Sequence, residues 1–360
     1  MKRIFITDCE GPISKNDNAY EIASSFIPNG DRLFTVISSY DDVTADIIKR
    51  PGYRPGDTLK LILPFLKAYS VTDRKMREFS AANLLLISNV KETLKHIRSI
   101  DHAFIVSTSY EHYIQALCQT LDFPYENTYC TKLSIDKYSI TAEETAKMKE
   151  TAKEIAKMTT IETPANAKSI NDFPEQHKTT IQRLDEIFWK EITKSQIGKM
   201  YSEIHPVGGS EKAEAIRDIA TKLDITLEDV MYVGDSITDD EAFKLVKQKG
   251  GLAVSFNGNS YAVKNAEIAV LSETSLVTAV IAEALCRFGR KQTLVLVENW
   301  NHKTLTESKI SKPLLSSLFA LYPRKLPKVK IITAQNMETL AKESSNFRKK
   351  VRGEAIGKLG

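Results

Sequence analysis

Residues 4–12, Ile4-Phe5-Ile6-Thr7-Asp8-Cys9-Glu10-Gly11-Pro12, decide the fold. The apolar run is short and carries two β-branched residues. It therefore suits a strand buried on both faces, as in a parallel sheet. Two acids follow at once, and Gly11 lets the chain turn sharply after them. Three further runs have the same character: residues 103–106 (Ala-Phe-Ile-Val), 230–233 (Val-Met-Tyr-Val) and 252–254 (Leu-Ala-Val). Helical periodicity fills 90–99, 210–223 and 239–247. Alternating strands and helices predict an α/β fold, a Rossmann-like parallel sheet flanked by helices on both faces.

Two inserts interrupt this rhythm. Residues 15–88 are helical in pattern and include the apolar stretch Leu59, Leu61, Ile62, Leu63, Phe65 and Leu66. Residues 141–204 form the second insert. It opens at 141–158 with an Ala/Glu/Lys-rich helix carrying i,i+4 charge pairs, read as an amphipathic helix packing on its own domain. From 286 onward the chain reads as an appendage, with strand candidates at 293–297 and 329–333. Its basic end (Arg348, Lys349, Lys350, Arg352, Lys358) reads as a frayed, solvated terminus. The division expected is a core of 1–14 and 89–285 containing the insert 141–204, a helical cap of 15–88, and a C-terminal extension of 286–360.

A chain of 360 residues is long enough for about two domains and a core that needs no staples. The net charge of +4 is too small to point to a nucleic-acid or membrane partner. Cys9, Cys118, Cys130 and Cys286 form no CxxC pair, which argues against a thiolate metal site and fits a reducing compartment. The N-terminal apolar run is too short for a signal peptide, and no stretch approaches the ~18 apolar residues of a membrane span. The expected location is the cytoplasm.

The polar residues sit where chemistry would need them. Asp8 and Glu10 follow the first strand, Ser107, Thr108 and Ser109 the second, and Asp235 and Asp239 the third. Ligands of open parallel sheets bind beyond the carboxyl ends of the strands, so these groups should converge on one rim. Clustered carboxylates repel one another unless a cation joins them, and Mg²⁺ prefers such hard oxygens. Lys212, at a helix start, is the candidate for holding phosphate oxygens. Cys9 is read as a buried, inert thiol, and Asp240 as a helix N-terminal charge. The glycines at 208 and 209 lack P-loop spacing.

These segments resemble the four motifs of the haloacid dehalogenase superfamily of phosphohydrolases. The first is a strand followed by DxD, here Asp8-Cys9-Glu10-Gly11. The second is a strand ending in Ser or Thr, here Ser107. The third is a lysine at a helix start, here Lys212, and the fourth is Gly234-Asp235 with Asp239 four residues on. Residues 251–258 resemble phosphoserine-phosphatase-like members, and the flank 14–20 resembles archaeal ones. The resemblance implies a Mg²⁺-dependent phosphatase. Asp8 would be the nucleophile and Glu10 the general acid and base. Ser107 and Lys212 would bind the phosphoryl group. Asp8, the Glu10 carbonyl and Asp235 would hold the metal, and Asp239 would ligate it through water or orient Lys212. Glu10 departs from the family's usual aspartate, which keeps a phosphotransferase in view. A non-catalytic accessory or regulatory subunit is a further alternative. Residues 15–88 stand where the family places a helical cap, which implies a small phosphorylated metabolite as substrate. Arg50, Tyr53 and Arg54 are candidates for gripping its anionic end, or else ordinary surface residues.

Overall fold

A computed structural model describes residues 2–164 and 166–359. Seven strands form one sheet: β1 (Ile4–Thr7), β2 (His102–Tyr110), β3 (Thr128–Thr131), β4 (Val230–Gly234), β5 (Leu252–Phe256), β6 (Ile268–Leu271) and β7 (Lys328–Ile331). Their order is β3-β2-β1-β4-β5-β6-β7. All pairs are parallel except β6 with β7. β1 is central. Its Thr7 lies opposite Ile105 of β2 and Val233 of β4, so β1 and β4 end together, while β2 runs on to Tyr110 and holds Ser107, Thr108 and Ser109 within the strand rather than after it.

Alternation along the strands builds two cores. Phe5, Ala103, Ile105, Met231 and Val233 face one side, against helices Val90–Ile100, Glu111–Leu121 and Leu276–Glu298. Ile4, Ile6, Val106, Val230 and Tyr232 face the other, against Ser210–Leu223 and Asp240–Gln248. Cys9 is fully buried on the first side, and burial pushes its thiol well above the ordinary value.

The two inserts share a third core. Phe34, Ile37 and Phe65 of the first pack with Met148, Ile155, Phe188 and Ile197 of the second. Helix Ala142–Ala156 is one wall of that body and starts with a capping box at Thr141 and Glu144. Arg50 bonds Asp185 at 2.6 Å and lies 4.9 Å from the centre of the Trp189 ring. Tyr53 also packs on Trp189, and Arg54 pairs with Glu211. These three residues therefore tie structural elements together.

Two expectations about the appendage change. The run at 293–297 is helical, inside Leu276–Glu298, because its buried members Thr293, Leu296 and Val297 follow helical spacing. A short apolar run fits either period, and packing chose. The basic end is not a frayed terminus. It forms helix Met337–Arg352, with Arg348 and Arg352 only 3% and 9% exposed. β3 and β6 were not anticipated. The lysines Lys328 and Lys330 sit exposed on the edge strand β7, a common guard against further pairing. Among the described residues no helix is long and apolar enough to cross a membrane.

Candidate active site

The register of β1, β2 and β4 brings Asp8, Ser107 and Asp235 to one rim. The Asp8 amide donates to the Val233 carbonyl at 2.8 Å, extending the ladder one residue past β1. Asp8 Oδ1 accepts from the Cys9 amide at 2.6 Å, and Oδ2 lies 2.8 Å from Lys212 Nζ. The same ammonium lies 2.7 Å from Asp239 Oδ1. Asp239 is fully committed: it also accepts from the Tyr232 hydroxyl (2.6 Å) and from the amides of Asp235 (2.8 Å) and Ser236 (2.9 Å). Gly11, at φ 111, passes so close to the Asp235 carboxylate that any side chain there would collide with it.

Ser107 Oγ donates to Ser109 Oγ at 3.1 Å and accepts from the Ser109 amide at 3.2 Å. Glu10 turns toward the first insert, where Oε1 accepts from the Asn18 amide at 2.7 Å, at the start of helix Asn18–Phe26. Asp8, Glu10, Ser107 and Asp235 line one cavity of about 90 Å³, together with Asp17, Asp41 and Asp42 of the first insert and with Arg348 and Arg352. The six residues expected from the sequence thus meet: four line the cavity, and Lys212 and Asp239 stand directly behind Asp8.

A sequence profile of the haloacid dehalogenase-like hydrolases matches residues 70–284, more than half of the chain. The chain belongs to the haloacid dehalogenase-like hydrolases. No curated protein matches its sequence. The solved structure of gene product AF1437 from Archaeoglobus fulgidus shares the fold, with a TM-score of 0.81 at 24% identity, over 100% of this chain and 99% of that one. A phosphoserine phosphatase in apo form reaches a TM-score of 0.44 at 14% identity, over 80% of this chain and 99% of that one. At that level of similarity it carries nothing over to this chain.

Electrostatics divides the carboxylates of this haloacid dehalogenase-like hydrolase. Burial lifts Asp8 to about 7, with Lys212 pulling it down and Asp239 and Asp235 pushing it up. Glu10 is raised well above the ordinary value by burial and by the Asp17 carboxylate. Asp235 is raised because burial outweighs Arg348 and Arg352. Burial also pushes on Asp239, but Lys212, Tyr232 and the Ser236 amide overcome it, so its carboxyl ends below the ordinary range. Lys212 is raised, since Asp239 and Asp8 more than offset its burial. Asp239 and Lys212 therefore form a fixed ion pair, while burial favours the protonated form of Asp8 and of Glu10.

The donor set fits a divalent cation in kind. Asp8, Asp235 and Asp239 each offer an oxygen, all within 4.8 Å of one another, and hard carboxylate oxygens are what Mg²⁺ prefers. The Glu10 carboxylate is turned away toward Asn18, so only its backbone carbonyl is a candidate ligand. Asp235 Oδ2 already accepts from both Arg348 and Arg352. Sequence reasoning missed these arginines, as it missed Asp17, Asp41, Asp42 and the Tyr232 hydroxyl. The only available signal was the i,i+4 spacing of Arg348 and Arg352, which puts both on one helix face.

Proposed function

We propose that the chain is a Mg²⁺-dependent phosphomonoester hydrolase, working through an aspartyl phosphate on Asp8. The observation that carries this reading is the buried bridge Asp8–Lys212–Asp239. It holds Asp8 on the wall of a cavity that Ser107 and Glu10 also line. An Asp8 oxygen attacks phosphorus as the bond to the leaving oxygen breaks. Glu10, protonated beforehand, gives its proton to that oxygen. Its carboxylate then takes a proton from water, which attacks the aspartyl phosphate, releases inorganic phosphate and restores Asp8. Ser107 donates to a phosphoryl oxygen, and Lys212 neutralises charge beside Asp8. Asp8, the Glu10 carbonyl and Asp235 would hold Mg²⁺, with Asp239 fixing Lys212. When bound, the cation supplies charge neutralisation for the phosphoryl oxygens.

The small cavity under a composite cap, formed by 15–88 and 141–204, supports a small phosphorylated metabolite as substrate. It also requires the site to open for entry. The free thiols Cys9, Cys118, Cys130 and Cys286 support a cytoplasmic location. One observation favours a second reading, a subunit that kept the fold without the chemistry: two guanidinium groups rest on Asp235.

The deciding experiment measures phosphate release from a panel of small phosphomonoesters, with and without Mg²⁺, for wild type and Asp8→Asn. The expected result is Mg²⁺-dependent turnover, lowered about 10⁴-fold or more in the variant. Turnover surviving in a folded Asp8→Asn protein would refute the nucleophile. No turnover on any ester would favour the second reading.

A further inference from the structure

The C-terminal helix is anchored independently of the site. Leu340 packs with Val263, Ala269 and Leu271, and Ser344 Oγ donates to the Gly258 carbonyl at 2.6 Å. Its last turns then carry two guanidinium groups to Asp235. Arg348 Nη1 bonds Asp235 Oδ2 and its carbonyl oxygen, and Nη2 bonds the Leu359 carbonyl at 3.3 Å. Arg352 Nη1 reaches the same Oδ2 at 3.1 Å. Its Nε donates to the Lys15 carbonyl at 3.1 Å, and Nη2 to the Asn16 carbonyl.

These contacts decide what the arginines do. Every nitrogen of Arg352 has a protein acceptor, so the residue is committed to closing the chain rather than to gripping a phosphate. Arg348 Nε is buried without a hydrogen-bond partner, so the closed arrangement leaves one donor unsatisfied. Lys212 is shared by Asp8 and Asp239, and Arg348 and Arg352 both pair with Asp235. The arginine pair thus brings the same two charges a divalent cation would bring, to the same carboxylate. A cation added beside them would sit among like charges with little solvent screening.

We propose that the Arg348–Arg352 pair and a divalent cation occupy Asp235 in mutual exclusion, making the C-terminal helix a built-in competitor for the metal. This rests on the metal site proposed above. Linkage makes the effect reciprocal: metal loosens the docked arginines, and docking weakens metal binding by the same factor.

The test uses the full chain and Mn²⁺ alone, followed by electron paramagnetic resonance. Arg348→Gln/Arg352→Gln should bind Mn²⁺ tenfold or more tighter than wild type. Arg348→Lys/Arg352→Lys, which keeps the charge, should stay near wild type. In wild type, saturating Mn²⁺ should raise hydrogen exchange over residues 345–359. Circular dichroism checks folding, and Arg352→Gln alone replaces the double variant if that one does not fold. Equal or weaker Mn²⁺ binding in a folded glutamine variant would overturn the competition and leave the phosphatase reading standing. No Mn²⁺ uptake by any form would overturn the competition together with the metal site. Phosphate release by wild type, lost in Asp8→Asn, reports on the phosphatase reading separately.

Discussion

Asp73 and Asp8 are both largely hidden from solvent, 8% and 5% exposed, but Asp8 lies deeper in the protein and has fewer donors, and the two shift in opposite directions. Asp73 opens helix Asp73–Ala82 and clamps the first insert to the segment after β3. It accepts from the Ile135 amide (2.9 Å), the Asp136 amide (3.3 Å) and Ser134 Oγ (3.0 Å), with His112 Nε2 at 2.9 Å. Burial raises its pKa, but these donors overcome it and hold the carboxyl below the ordinary value. Asp8 has one amide and one shared ammonium, and burial wins. Burial alone does not say what a carboxylate is for. A carboxylate with four donors holds structure; one with only two, one of them shared with Asp239, keeps capacity for a ligand or a bond.

The sharpest way to break this contrast is at Glu10, the other undercompensated acid. Glu10→Gln should lower turnover of alkyl phosphates about 10²–10⁴-fold. The first step with p-nitrophenyl phosphate, whose leaving group needs no proton, should be much less affected. Pre-steady-state release of p-nitrophenol reads that step, and equal losses on both esters would remove Glu10 as the acid. On the structural side, Asp73→Ala should cost about 2–3 kcal/mol in urea unfolding. Asp8→Asn should cost nothing comparable, and a loss of equal size there would dissolve the distinction.

The same pair should show opposite pH slopes in chelator. Asp73 has a folded pKa below its ordinary 3.8, so its contribution is present above that value and lost as pH falls through the folded one. Asp8 has a folded pKa raised from 3.8 to about 7, so the fold favours its proton and wild type loses stability as pH climbs through that window. Unfolding free energies from pH 4 to 8 should therefore show Asp8→Asn gaining on wild type. A constant difference would contradict the assignment. The smallest effect expected is for Tyr232→Phe. It removes one hydrogen bond to Asp239, which keeps Lys212 and two amides, at about 0.5–1.5 kcal/mol.

The positions of Asp8, Glu10, Ser107, Asp235 and Asp239 were legible because each sits within a few residues of a strand's carboxyl end, and parallel register sets those residues side by side. Lys212 was legible as a helix start but not as the bridge between Asp8 and Asp239. The tail misled the reading, since basic residues at i,i+4 look the same on a solvated helix as on one driven into a carboxylate. The run at 293–297 misled it too, because five apolar-rich residues satisfy both periods.

By itself the sequence determined the α/β sheet, the acids on its rim and the family chemistry they resemble. All of these depend on residues adjacent along the chain, where strand period and turn geometry leave little choice. Only the tertiary structure decided that the two inserts close into one hydrophobic body. It alone decided that Asp239 is saturated while Asp8 is not, and that Arg348 and Arg352 reach Asp235. An amphipathic face or a charge specifies what kind of partner it needs, not which one. That choice is made by packing between segments more than a hundred residues apart.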